Sequence, residues 1–400
     1  MIKKKIKLLF ITDTTTWPYC TGGSETGINI ILNELSKKYG FECTSIGAIP
    51  TKYFNNFNYL KKILNSLKIK HNKITLENVN FSPRDYDINI LPLSIKKHPF
   101  SGMHFTNNYS TYIFSRNKLF KFIERYIIKE KPDIVVGQFL IPTQLFNIFK
   151  VYKLIEKEKI PGIIYIVNKA KHTKLIVKFI QRNKKIYMLY YSKFLMESVK
   201  SSKNNHLNSI FTPPVDKKKY LAKYNSKKFV TFINPAKQKG IEIFEKIINK
   251  MPKVNFLLVE GWQKKDFDRT KKRLKKHKNI FFLTKQLDMK NVYNKTKILL
   301  IPSVWEEGFG RVSIEAELNG IPVIASDIGG LNESVGKGGI LIKDYKNIDE
   351  WVANINLLLN NNKKYKRLSQ EATKYSKKYT DLRECKKLAM IITNLAANNK

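Results

Sequence analysis

The chain has 400 residues, 42% of them apolar, and 74 Lys and Arg against 32 Asp and Glu, for a formal net charge of +42. That length exceeds what one hydrophobic core usually serves, so two domains of roughly 200 residues are predicted, and the lack of repeats or collagen-like tracts excludes solenoid and fibrous classes. The charge concentrates anionic partners of any kind, whether nucleic acid, acidic lipid head groups or phosphorylated substrates; AT-rich codon usage accounts for part of it, but the same bias would enrich Glu, so the remainder is read as functional.

Met1 to Lys5 followed by Ile6 to Thr12 has the basic head and apolar run of a signal peptide. The run is too short to span a membrane and no small-residue cleavage site follows, so it is read as a buried first strand. Cys20, Cys43 and Cys385 lie far apart, without CxxC spacing or a metal-ligand cluster with the histidines, which predicts a reduced, cytoplasmic compartment. Trp17 to Glu25 contains Gly22-Gly23 and leads into a helix predicted from about Thr26 to Lys38. Further strands are predicted at Cys43 to Gly47, Asp133 to Gly137, Gly162 to Ile166, Ile186 to Tyr190 and Ser209 to Phe211, with helical stretches between most of them.

Three weaker signals lie in this half. Leu60, Ile63, Leu64 and Leu67 form an apolar stripe flanked by Lys61, Lys62, Lys68 and Lys70, the pattern of a surface helix or of an interfacial helix on anionic lipid. Asp85-Tyr-Asp87 spells a string that can hold a metal, but it is isolated and follows Pro83, so no metal is expected. Lys118 to Tyr126 interleaves lysine with aromatics; its helical spacing predicts core packing, and no nucleic-acid partner is expected. His104 and Gln138 are polar candidates for the acceptor side.

Thr212-Pro-Pro-Val-Asp216, Lys217 to Tyr220 and Lys227-Lys228 are proline-stiffened and charged with no apolar period, so residues 213–228 are read as a linker between domains 1–212 and 229–378. Strands resume at Phe229 to Ile233, Asn255 to Glu260, Ile280 to Leu283, Ile298 to Ile301, Pro322 to Ser326 and Gly339 to Ile342. Residues 379–400 hold a last helix, with Leu388, Ile391, Ile392 and Leu395 on one face, expected to pack back on the first domain. The class is α/β, two Rossmann-like doubly wound parallel-sheet domains, in which ligands bind beyond the carboxyl ends of strands.

The most informative stretch runs from Pro302 to Glu333. Gly308 and Gly310 let backbone approach an anion, and Glu307 and Glu315, with seven residues between them, each offer a carboxylate to a vicinal diol. Taken alone, both are also compatible with solvated or helix-start charges. After the first strand of the second domain, Asn234-Pro-Ala-Lys-Gln-Lys239-Gly240 brings a lysine to a helix entrance, where it can meet a diphosphate or be one lysine among many.

The glutamate pair, Gly320-Ile-Pro322-Val323 and Gly329-Gly330 together resemble the signature of glycosyltransferase family four. The resemblance implies a GT-B fold, two lobes facing across a cleft, and retaining transfer of a sugar from a nucleotide diphosphate sugar donor without a metal or other cofactor. It implies that Glu315 holds ribose hydroxyls, Glu307 contacts the transferred sugar, and Gly308, Phe309, Gly310 and Arg311 line sugar and diphosphate. Glu306 adjoins the motif, but the Gly-Phe-Gly register selects Glu307. In that family Arg and Lys five apart clamp the diphosphate; Lys239 matches the lysine, Asn234 stands where the arginine would be, and Arg311 is the candidate to compensate. Gly22-Gly23 resembles the loop that closes over the donor, and Thr284, Lys285 and Gln286 the strand end that meets the nucleotide base. The basic charge points to a saccharide or lipid-linked acceptor that carries phosphate or sits on an anionic membrane surface, such as a growing lipopolysaccharide or capsule chain in cell-surface polysaccharide synthesis. A basic nucleic-acid- or membrane-binding module on a decayed scaffold and a sugar epimerase remain as alternatives.

Overall fold

The computed structural model describes residues 5–14, 23–49, 87–91, 102–106, 110–115, 119–138, 145–169, 186–199, 208–223, 226–261, 264–286 and 288–397. The chain forms two compact units: Met1–Tyr191 with Ser198–Pro213 and Leu382–Lys400, and Ser192–Glu197 with Pro214–Asp381. Cys20, Gly22, Asp85 and the Leu60 to Lys70 stripe lie outside the described residues.

In the first unit β1 (Ile6–Thr12) lies inside the sheet, parallel to β2 (Phe41–Ile49) and to β6 (Ile134–Gln138). Leu8 to Ile11 are buried, as a run of bulky apolar residues covered on both faces must be. β7 (Gly162–Ile166), β8 (Ile186–Tyr190) and β9 (Asn208–Ile210) continue the parallel order on one side. On the other, β5 (Ser110–Ser115) pairs parallel with β2, and β4 (Gly102–Thr106) and β3 (Asp87–Leu91) add an antiparallel margin. These last three strands were not expected from the sequence, because segments such as Ser-Thr-Tyr-Ile-Phe-Ser carry too few apolar residues to stand out. Asp87 opens β3 opposite Thr106, a strand position within the Asp-Tyr-Asp string.

Among the described residues, α1 (Gly23–Lys38), α2 (Leu119–Glu130) and α3 (Leu145–Lys157) accompany this sheet. The final helix, Glu384–Ala397, belongs to this unit and buries Cys385, Leu388, Ala389 and Ile392. Burial pushes the thiols of Cys43 and Cys385 up to about 12, so both stay protonated and unreactive.

The second unit is a six-stranded sheet in the order β12-β11-β10-β13-β14-β15, parallel at every pairing. Its strands are β10 (Phe229–Ile233), β11 (Phe256–Val259), β12 (Ile280–Leu283), β13 (Thr296–Ile301), β14 (Val323–Ser326) and β15 (Gly339–Ile342). Phe232, Phe244 and Phe256 pack ring to ring at 4.8 and 5.6 Å, and Trp351, fully buried, donates its indole N–H to the Tyr345 carbonyl at 3.0 Å.

Residues 214–228, expected as linker, form part of this second unit. Asp216 caps the short helix α5 (Lys217–Tyr220), which follows α4 (Lys193–Val199), by accepting from the Lys218 N–H, and Val215 and Tyr220 are buried. Buried Val215, Tyr220 and Ala222, with hydrogen bonds to Asn319 and the Tyr379 carbonyl, hold a segment whose average composition is that of a tether. The unit runs on through Asp381, three residues past the boundary expected at 378. Among the described residues, no helix is long and apolar enough to cross a membrane.

Candidate functional site

The strand order reverses at β10: β11 and β12 build out on one side, and β13 to β15 on the other. The loops after β10 and β13 therefore leave the sheet side by side and diverge, which opens a crevice at their carboxyl ends. Lys239 follows one strand and Glu307 the other.

After β10, Asn234 adopts the left-handed conformation, with φ of +68°, that Asn tolerates better than most side chains. Its side chain fills the place that a Cβ on Gly261 would take. A 3-10 turn, Lys237–Lys239, leads through Gly240 into α6 (Ile241–Lys250). Gly240 has φ of +85°, and a Cβ there would overlap the Pro302 carbonyl oxygen, so only glycine lets the two loops touch. The Val304 N–H donates to the Gln238 carbonyl at 3.1 Å and pins them together.

Across that seam the Lys239 ammonium pairs with Glu307 Oε1, which also accepts from Ser303 Oγ at 2.7 Å. Both side chains are largely enclosed, at 19% and 11% exposure, which strengthens their attraction relative to water. The backbone behind them is held as well. The Gly330 N–H donates to the Glu307 carbonyl at 2.7 Å, and Ser192 Oγ donates to the Gly308 carbonyl at 2.6 Å. Gly329 and Gly330 press so closely on residues 306–309 that a Cβ on either would meet backbone at 2.6 Å. Gly310 then turns the chain into α9 (Arg311–Glu317), preceded in chain order by α7 (Lys264–Leu274) and α8 (Lys290–Tyr293).

Glu315 lies in a separate cluster. It accepts from Tyr293 Oη at 2.7 Å and stands 3.7 Å from Arg311 Nε. Burial raises its carboxyl pKa, against the opposing pull of Arg311 and the Tyr293 hydrogen bond; burial and the neighbouring carboxylate together push the Tyr293 hydroxyl well up. Arg311 also donates to the Pro214 carbonyl at 3.3 Å. Its buried guanidinium thus reaches Glu315 and the segment entering the unit. Phe309 turns its ring inward against Tyr379, at 5.1 Å between centroids, so it presents backbone to any ligand. Glu317 is fully buried with neither carboxylate oxygen hydrogen-bonded among the described residues, and burial pushes its pKa well up, toward the neutral acid.

Thr284, Lys285 and Gln286 follow β12, where the Lys285 N–H donates to Glu260 Oε2 at 3.2 Å and Gln286 Nε2 to the Thr284 carbonyl at 2.8 Å. In the first unit Gly23 is the exposed first residue of α1, and Gln138 ends β6 opposite Thr12, buried, with its Oε1 unbonded among the described residues. His104 sits on β4 between Asn89 and Tyr112. Sequence reasoning did not single out Ser303, Tyr293, Glu260 or Ser192. Ser303 was readable from its place beside Pro302, whereas the others reach their partners from distant segments and leave no local signal.

Residues 215–375 match the family model described as Glycosyl transferases group 1. The chain is 33% identical over 106 residues to spore coat protein SA of Bacillus subtilis (strain 168), covering 26% of this chain and 27% of that protein. It is 38% identical over 77 residues to a D-inositol 3-phosphate glycosyltransferase of Mycobacterium marinum, covering 19% and 16%. The chain thus matches about a quarter or less of the length of these curated relatives. Over nearly its whole length it is similar in fold to sucrose-phosphate synthase from Thermosynechococcus elongatus, with a TM-score of 0.70, 14% identity, and 98% and 100% of the two chains covered. Anabaena Alr3699/HepE in complex with UDP and glucose is similar with a TM-score of 0.68, 15% identity, and 97% and 99% covered. The fold is GT-B.

Proposed function

Since the chain carries a glycosyl transferases group 1 domain over residues 215–375, we propose that it moves a sugar from a nucleotide diphosphate sugar to a saccharide or lipid-linked acceptor, with retention at the sugar carbon. The observation that carries this reading is the Lys239, Glu307 and Ser303 cluster at the switch point of the second sheet. A cation and carboxylate enclosed together between two parallel-strand loops suit a ligand with phosphates at one end and hydroxyls at the other. The bond between the sugar carbon and the diphosphate oxygen breaks as the acceptor oxygen bonds to that carbon, and the departing phosphate oxygen takes the acceptor's proton. Lys239 and the backbone of Gly308 to Arg311 meet the charge left on the diphosphate, a role that calls for no metal. Glu307 holds the sugar, Glu315 the ribose, and the Thr284 to Gln286 segment the base.

The neighbour crystallised with UDP and glucose makes UDP-glucose the first donor to test. Thermal shifts of the purified chain with UDP, GDP and ADP sugars should show one clearly stabilising donor, and release of its nucleoside diphosphate should follow. A flat response to all three sets would instead favour a basic binding module, the alternative to which Asn234 in place of a clamping arginine lends some weight. Donor consumed with a rearranged sugar and no acceptor would mark an epimerase.

We also propose that the acceptor is reached at the anionic inner face of a membrane. The helix α7 buries Phe267 and Leu274 in the core and exposes Lys265 and Lys272, with Lys275 and Lys276 exposed just beyond. With its apolar side already used, such a face binds by charge alone. Sedimentation with phosphatidylglycerol vesicles should fall as salt rises and fall further when those four lysines become serine; absence of binding at any salt removes the idea.

A further inference from the structure

The loop that carries Glu307 is shaped in part by a residue more than one hundred positions earlier in the chain. Ser192 lies where the chain leaves Tyr191 of the first unit and joins the second, and it is wholly buried. Its hydroxyl donates to the Gly308 carbonyl at 2.6 Å and accepts from the Leu195 N–H at 3.1 Å, as a cap on the seven-residue helix α4 (Lys193–Val199). Glu333 secures the same turn by another route, its carboxylate accepting the Lys193 and Phe194 N–H groups at 2.9 and 2.5 Å.

A peptide unit is planar and trans, so fixing a carbonyl fixes the direction of the next N–H. The Gly330 N–H sets the plane between Glu307 and Gly308, and Ser192 sets the plane between Gly308 and Phe309. Gly308 has no side chain to restrict its own dihedrals, so this stretch relies on outside partners to hold one conformation. Ser192 can supply that restraint because it is buried, its side chain is short, and the turn that carries it is anchored independently by Glu333.

We propose that Ser192 is a positioning residue for glycosyl transfer, acting through the Gly308 carbonyl to preorganise the backbone that faces the donor diphosphate; this rests on the function proposed above. Ser192→Gly keeps an acceptable helix cap but removes the hydroxyl. It should lower kcat at saturating donor about tenfold, the kinetic equivalent of one hydrogen bond, with little change in donor KM. Glu333→Gln keeps one oxygen to accept from the turn and leaves the Ser192 hydroxyl on Gly308, so it should lower Tm while kcat stays within about twofold of the unaltered chain. Wild-type kcat in Ser192→Gly overturns the proposal, and so does an equal fall in kcat in both variants, which would mark the turn as merely structural. An unaltered chain inert toward every nucleotide sugar removes the functional reading itself, and this inference with it.

Discussion

Replacing Lys239 by alanine is expected to lower kcat for sugar transfer by about 10²–10³, the usual consequence of deleting one preorganised group that faces developing negative charge. Lys239 is nearly enclosed, pairs with Glu307 across the seam of two loops, and stands beside the glycine that permits their contact. As the diphosphate departs, a fixed ammonium needs no reorganisation to meet it. Lys239→Arg should recover only part of the loss, because a planar, spread guanidinium does not place its charge where the compact ammonium meets Glu307. Glu307→Gln provides the contrasting case: it can still accept from Ser303 but no longer neutralises Lys239, so donor affinity should hold or rise while turnover falls. Steady-state kinetics on both variants, with the donor found by thermal shift, check the pair of expectations. Wild-type turnover in Lys239→Ala would contradict the proposed chemistry directly.

The second large effect is on stability. Arg311→Ala should destabilise the second unit by about 3 kcal/mol or more, since it strands a buried carboxylate and removes the bond to Pro214. For a unit of this size the corresponding fall in Tm is roughly 6–12 °C. The loss should also depend on pH. Burial already raises the folded-state pKa of Glu315, and without Arg311 it should rise further. An acid whose folded pKa exceeds its unfolded value holds more protons when folded, so stability falls as pH rises from the unfolded carboxylate range through the folded pKa. The Tm deficit of Arg311→Ala should therefore be larger at pH 8 than at pH 5. A deficit independent of pH would mean that Glu315 does not depend on Arg311. Thermal denaturation of wild type and variant across that range decides it, and distinguishes a partner of Glu315 from a diphosphate clamp, whose removal would weaken nucleotide binding and spare Tm.

Much of the second unit was legible in the amino-acid order. Its strands are short Val, Ile, Leu and Phe runs between helical patterns, because a parallel sheet covered on both faces must be apolar on both. Pro302 to Glu333 likewise contains its loop, its glycines and its two glutamates in one continuous segment. The antiparallel margin of the first sheet was not legible: β3, β4 and β5 carry a weak alternation that a period-based reading passes over. Nor could residues 214–228 be placed, since a proline pair and a lysine run read as a tether unless the burial of Val215 and Tyr220 is known.

Arg311 shows the limit most clearly. From order alone it is a candidate substitute for a clamping arginine near Asn234, and only the fold shows that it also stands one helical turn from Glu315 and donates to the Pro214 carbonyl. Composition, periodicity and local motifs determined the strands, the helices and the list of candidate groups, because those depend on neighbours within a few positions. Which groups meet was decided by the fold: Lys239 finds Glu307 through the reversal of strand order at β10, and Ser192 finds Gly308 across more than one hundred residues. Such contacts depend on three-dimensional proximity, which no local pattern of side chains encodes.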